Sequence, residues 1–277
     1  MTLARTAAVT VILGALLACS SHATETKNAE VAQVNEAAAA ETAKAPVIDA
    51  DADNAVRTMC DALAASPQFS LRVESNFDQV MDDDQPVESS SLSRVVVRRP
   101  DGLFVDRVGD RGHRMLRYDG RTRVCGILDV ERKLYAQGTA PPTVEETLDA
   151  LHDVFGMTIP LADFAVNDPY GALNTGALSG VYVGEHSVRG TPCHHVAYSN
   201  AAIDWQIWIQ ATGDPVPRRF AISYKRVPGA PRFSAYLDNW NLRDTSAAAE
   251  FEFKPPEGSR RIFMVPKNAV ASIGGGK

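Results

Sequence analysis

The chain has 277 residues with 28 Lys+Arg against 34 Asp+Glu, a formal charge of −6, and 45% of it is hydrophobic. That composition suits one globular domain with appendages, or at most two small domains, and excludes collagen, coiled coil and a wholly disordered chain. An acidic balance offers no general attraction to phosphate backbones, and beyond the first twenty residues no apolar run is long enough to cross a bilayer, so nucleic-acid binding and multi-span transport are set aside.

Residues 1–18 read as an export signal: Arg5 precedes a run from Thr6 to Ala18 of small and aliphatic residues, too short to span a membrane and right for a signal core. Its end, Leu16-Leu17-Ala18-Cys19, resembles the bacterial lipobox, in which the cysteine sulfur is acylated and becomes the mature N-terminus. Ser20 in the next position then fits outer-membrane sorting, and the acylated end is the expected membrane contact. Ser21-His22-Ala23 offers the competing reading, cleavage after Ala23 with loss of Cys19. Residues 19–50 are rich in Ala and Glu and lack aromatics; with so little to bury, they are expected to be a flexible tether. The tail 267–277, ending in three glycines and Lys277, is expected to fray.

Residues 51–266 form the expected folded body. Asp53 stands where a helix N-cap belongs, Val56, Met59, Cys60 and Leu63 follow at helical spacing, and Pro67 ends the pattern, which predicts a helix over 53–65. Alternating residues then predict strands over 69–77 and 87–99 around the acidic loop at Asp82 to Asp84. Short strands follow at 103–108, 113–118, 121–128 and 133–137, with Asp119-Gly120 as a two-residue turn. Pro141 and Pro142 introduce a second helix, 143–155, with Glu145 and Glu146 in its first turn and Val144, Leu148, Leu151 and Phe155 on one face. Short helical turns over 160–173 lead to strands at 180–188, 193–199, 202–210, 218–225 and 233–241, with Phe251-Glu252-Phe253 closing. In 203–209, Ile203, Trp205, Ile207 and Ile209 share one face and Trp208 takes the other. The expected fold is mainly β, about ten antiparallel strands with a few covering helices, since a broad sheet must curl and have its apolar face covered.

Several motifs carry a family resemblance. The runs Arg98-Arg99-Pro100-Asp101, Tyr118-Asp119-Gly120, Leu161-Ala162-Asp163 and Asp168-Pro169-Tyr170 through Gly184 resemble the bacterial domain-of-unknown-function family 2092, described as predicted periplasmic proteins. More specific are Gly190-Thr191-Pro192-Cys193-His194-His195, Asp204 to Ile209, Pro217-Arg218-Arg219, Tyr224-Lys225 and Trp240-Asn241-Leu242, so the resemblance spans about 53–265. It implies a fold similar to the LolA/LolB lipoprotein carriers: an unclosed half-barrel whose concave apolar face is lidded by helices and can hold acyl chains. It implies no activity, and no carrier lipid-site residue transfers onto this chain.

Catalytic signals are weak. Cys193, His194 and His195 are zinc-ligand types, but neighbours on a strand point to opposite faces and no second ligand pair follows, so no metal site is assigned. Gly176-Ala177-Leu178-Ser179-Gly180 has the wrong spacing for a nucleophile elbow, Asp49 to Cys60 lacks the turn Gly and terminal Glu of a calcium loop, and no cofactor motif is found. With Cys19 acylated or removed, Cys60, Cys125 and Cys193 remain in an oxidising compartment; Cys125 and Cys193, both on expected strands, are the favoured disulfide. From Arg94 to Arg123 there are nine Arg against four Asp; a solvated sheet face explains them, and contact of Arg94, Arg98 and Arg99 with anionic headgroups or an acidic partner is the functional alternative. The functional expectation is a non-enzymatic envelope protein that binds a lipid, an acyl chain or a lipoprotein. The rivals are an interaction scaffold with a filled barrel and, third, a hydrolase.

Overall fold

The computed structural model describes residues 46–81, 85–157, 159 and 161–267. The signal segment, Cys19, most of the tether, the acidic loop at Asp82 to Asp84 and the tail beyond Lys267 lie outside them.

The described chain forms one unclosed sheet of 13 strands. In chain order these are β1 (Val47–Ile48), β2 (Gln68–Val80), β3 (Pro86–Arg98), β4 (Gly102–Gly109), β5 (Gly112–Asp119), β6 (Val124–Asp129), β7 (Leu134–Thr139), β8 (Ala177–Val188), β9 (Thr191–Asn200), β10 (Ile203–Gln210), β11 (Pro217–Tyr224), β12 (Arg232–Asn241) and β13 (Arg260–Arg261). They lie side by side as β1-β8-β9-β10-β11-β12-β2-β3-β4-β5-β6-β7-β13. Two meanders, β8 to β12 and β2 to β7, are therefore joined through the β12–β2 pair, whose strands are far apart in sequence. The pairings are antiparallel except at the margins, where β1 lies parallel to β8 and β13 parallel to β7. The mainly β, unclosed class is as expected, with three more strands than the sequence suggested.

Helices α1 (Ala50–Ala64), α2 (Val144–Phe155) and α3 (Pro169–Leu173) accompany the sheet, with a 3-10 turn at Ala162–Phe164. Helix α1 starts earlier than expected: Asp49 is the N-cap, its carboxylate accepting from the Asp51 amide at 3.0 Å, and Asp53 lies within the first turn. Residues 47–50, expected in the tether, instead form β1, the Asp49 cap and the first residue of α1. Helix α2 follows its prediction, with Thr143 accepting from the Glu146 amide and Gly156 closing the last turn at φ +68°, a conformation that favours glycine. The tight two-residue turn is Asp110-Arg111, between the paired Gly109 and Gly112, while Asp119 and Val124 are joined by a four-residue loop in which Arg123 takes φ +61°.

The sheet separates its two faces by residue parity. On the helix-bearing inner face, Phe69, Leu71, Val73, Val97, Tyr118, Val196, Trp205, Ile207, Phe220 and Leu237 are buried against Val56, Met59 and Leu63 of α1. Tyr198 stacks on Trp205 at 4.4 Å and Phe164 meets Phe220 edge-on, so the hollow beneath α1 is filled with aromatic side chains. The outer face carries smaller clusters, one of Val188, Cys193, Trp208 and Ala221, the other of Val96, Phe104 and Phe251. Ile203, Trp205, Ile207 and Ile209 face inward and Trp208 outward, as their spacing predicts.

Phe251-Glu252-Phe253 is not a strand. The segment crosses the outer face, with Phe251 among Val96 and Phe104 and Phe253 over Gly126, where any Cβ would overlap its ring. It then reaches the far margin as β13.

Candidate functional site

Strand register divides the inner face of β2 to β7 into successive rows. The first, Phe69, Val97, Leu103, Tyr118, Cys125 and Gly138, is apolar, and so is the second, Leu71, Val95, Val105, Leu116, Ile127 and Ala136. Val95, Val105 and Ile127 of the second row are only half-buried. The third row, Val73, Ser93, Arg107, Arg114, Asp129 and Leu134, carries charge. On β3 to β6 an apolar wall thus gives way to a polar one within a single two-residue step.

A cavity of about 230 Å³ opens over the first two rows, between β6, β7 and α2. Cys125, Ile127, Ala136 and Gly138 form its floor, Ala150, Leu151 and Phe155 of α2 its roof, and Ile262, Phe263 and Met264 its outer wall. Phe263 keeps 83% of its surface exposed, unusual for a large apolar side chain. Beneath Gly138, an added Cβ would meet nothing within 4 Å. For scale, a cavity of about 150 Å³ accepts benzene and ligand pockets generally start near 300 Å³. The space therefore suits one chain end and not several chains.

The two helices are fastened differently. The guanidinium of Arg99, just beyond β3, donates to the carbonyls of Leu63 (2.8 Å) and Ser66 (3.0 Å) at the end of α1 and to those of Phe164 (2.7 Å) and Val166 (3.1 Å). Burial pulls its pKa down to about 10, which still leaves it charged at neutral pH. Helix α1 is also tied by Asp53, which accepts from the Tyr170 hydroxyl and from Arg57. Helix α2 rests on Val144, Thr147, Leu148 and Leu151, and Tyr118 donates to the Pro141 carbonyl at 2.8 Å ahead of it. The roof of the cavity thus packs through an apolar face, with the Val144 amide donating to the Pro100 carbonyl at 2.7 Å, and α1 is fastened by the Arg99 guanidinium.

The arginines singled out from sequence have structural partners. Arg98 is buried on the outer face, bound to Asp101 at 2.7 Å and Asp119 at 2.8 Å with Phe251 beneath it. Arg99 is the clasp just described. Arg94 faces outward and pairs with Glu250 at 2.6 Å. Headgroup contact by Arg98 and Arg99 is excluded by burial and prior hydrogen bonding, and Arg94 lies away from the cavity. The arginines that sequence reasoning passed over are Arg107 and Arg114, which the Asp110-Arg111 turn places opposite each other on the inner face.

The expected Cys125–Cys193 disulfide is absent. Cys60, Cys125 and Cys193 are free; Cys125 lines the inner cavity, while Cys193 is buried in an outer-face cluster with seven strands between them in the sheet order. Burial pushes the Cys60 and Cys125 thiols up to about 12, which makes both poor nucleophiles. His194 and His195 point to opposite faces: His194 meets the Tyr182 hydroxyl at 2.9 Å, and His195 stacks on Trp208 at 4.0 Å while contacting His186 and Gln206. Among the described residues, no three His, Cys, Asp or Glu side chains converge as metal ligands would. None of the described helices is long and apolar enough to cross a membrane.

Residues 52–265 match the family described as predicted periplasmic protein, DUF2092, which is most of the chain. The chain belongs to that family. A search of curated proteins finds no match. Among solved structures, an uncharacterised conserved protein of Thermus thermophilus is similar at 10% identity and TM-score 0.45, over 77% of this chain and 99% of its own. The Mycobacterium tuberculosis lipoprotein LppX is similar at 11% identity and TM-score 0.37, over 71% and 98% of the two chains. A LolA superfamily protein of Nitrosomonas europaea is similar at 9% identity and TM-score 0.37, over 73% and 97%.

Proposed function

We propose that this DUF2092 protein is a non-catalytic binder of single-chain amphiphiles or acyl chains in the bacterial envelope. The carrying observation is the cavity under α2, roofed by Leu151 and Phe155, floored by Ile127 and Ala136 and continuous in register with half-buried Val95 and Val105. Its lining is mostly apolar, with a high-pKa thiol and the polar residues Gln137, Thr139 and Thr147 beside it. We further propose that the folded body, from β1 onward, is tethered through an acylated Cys19 to the outer membrane.

Entry of a longer chain requires α2 to rise. Val144, Leu148 and Leu151 are its buried anchors, and re-exposing three such side chains costs at most about 5–8 kcal/mol. An entering chain recovers about 0.8 kcal/mol per buried methylene, so six to ten methylenes balance the opening. That range matches fatty-acyl chains, and the fastened α1 is not required to move.

Mass spectrometry of protein purified without detergent, followed by displacement titration with a fluorescent fatty-acid probe, tests this reading. Co-purified alkyl compounds and saturable binding are expected. A lipid-free preparation that also ignores the probe would defeat it, and would favour the filled-sheet scaffold that the aromatic packing under α1 already resembles.

A further inference from the structure

Arg107 and Arg114 are cross-strand partners, and adjacent like charges in this position are normally unfavourable. The only hydrogen bond Arg107 makes among the described residues is from Nε to the Ser91 hydroxyl at 2.9 Å, and Ser91 in turn meets Ser75 at 3.0 Å. Among the described residues, neither arginine forms an ion pair with a carboxylate. Arg114 is opposite Asp129 in register, but that carboxylate binds Arg132 at 3.1 Å. Arg111, at the turn, adds a third cation and donates to Gln79 at 2.7 Å. Burial, and next to it the charges of Arg111 and Arg114, lower the pKa of Arg107, while Arg114 helps to hold the Asp129 carboxyl down.

This cluster stands one row from the apolar wall: Val105 precedes Arg107 by two residues and Leu116 follows Arg114 by two. We propose that Arg107 and Arg114 bind the anionic head of the amphiphile, a carboxylate or a phosphate monoester, while its alkyl chain runs over Val105, Leu116 and Ile127 toward the cavity. The inference rests on the amphiphile-binding reading and supplies its head-group chemistry. Two guanidiniums side by side present a fork of N–H donors suited to a bidentate oxyanion, and the neighbouring serine hydroxyls extend that donor set. An uncharged head would leave the two cations as they are.

The experiment compares dodecanoate, dodecyl phosphate and dodecanol, each titrated against the full-length protein and against Arg107→Gln/Arg114→Gln. The Gln side chain keeps an N–H for Ser91, and Arg107→Lys/Arg114→Lys retains the charge as a folding and rescue control. The wild type should bind both anions about 10- to 100-fold more tightly than dodecanol, the range for a hydrogen bond to a charged group, and should lose that margin in 1 M salt. The Gln variant should bind all three ligands alike and at the dodecanol level, while the Lys variant recovers part of the preference. The stronger of the two anions identifies the head group. An unchanged anion preference in the Gln variant would overturn the head-group assignment and leave the cavity reading standing. Failure of all three ligands to bind wild type would overturn both.

Discussion

Gly138 offers a way to fill the cavity without harming the fold. It sits on the inner face of β7 opposite Cys125, has no left-handed backbone requirement, and an added Cβ there meets open space. Replacing it with Leu removes the conformational freedom of a strand glycine, which stabilises by about 0.5–1 kcal/mol, and half-buries an isobutyl group for about 1 kcal/mol more. Folding stability is therefore expected to rise by about 1–2 kcal/mol, or a few degrees in Tm for a chain of this size. The new side chain occupies the room of three or four methylenes of any occupant. At about 0.8 kcal/mol each, that is about 2.4–3.2 kcal/mol, or roughly a 50- to 200-fold loss of affinity. Probe titration and thermal melting of Gly138→Leu measure the two quantities on one sample. A variant that melts as expected yet binds dodecanoate like wild type would refute the placement of the chain in this cavity.

Four further outcomes follow from the geometry. Arg99→Leu removes the donor to the carbonyls of Leu63, Ser66, Phe164 and Val166, of which Leu63 keeps the Ser66 amide, and should cost about 3–5 kcal/mol in urea unfolding, with Arg99→Lys recovering less than half because an ammonium cannot span four acceptors. Gly126→Ala should destabilise by about 2–3 kcal/mol through collision with Phe253, and pairing it with Phe253→Ala should cost less than the sum of the single changes in a double-mutant cycle. Burial pushes the Asp244 carboxyl up, but hydrogen bonds from Ser246, Ser70 and Gln68 outweigh it and hold the pKa down to about 2. Its contribution, on the order of 1–2 kcal/mol, is thus complete above about pH 4 and lost as the pH falls toward 2, and Asp244→Asn should flatten that part of the acid-unfolding curve. Cys125, with its thiol raised to about 12, should resist iodoacetamide at pH 8 in the native protein and react once the chain is unfolded.

Local patterns made much of this fold legible. Alternation located the long strands and the facing of Ile203 to Trp208, and helical spacing gave α2 within one residue. The misses share a cause, namely partners distant in sequence. The β1 and β13 strands are two-residue pairings that exist only because β8 and β7 lie beside them, and Phe251 and Phe253 look like strand residues although they are ring contacts to Phe104 and Gly126 on the outer face. The cysteine pairing failed because both residues being on strands says nothing about which face each takes. Arg94 and Arg98 stood out through local charge density, yet their parity turns them outward, and Arg99, past the end of β3, serves the backbone. The pair that faces inward was available in the sequence: the expected strands 103–108 and 113–118, folded about Asp110-Arg111, already set Arg107 opposite Arg114, but their facing was not followed through.

The outer wall of the cavity, Ile262 to Met264, lies near the end of the described chain, and a two-residue seam to β7 holds it in place. Floor and roof can therefore assemble while that side still stands open. Protein refolded without lipid is therefore expected to differ in bound content from protein made in the cell.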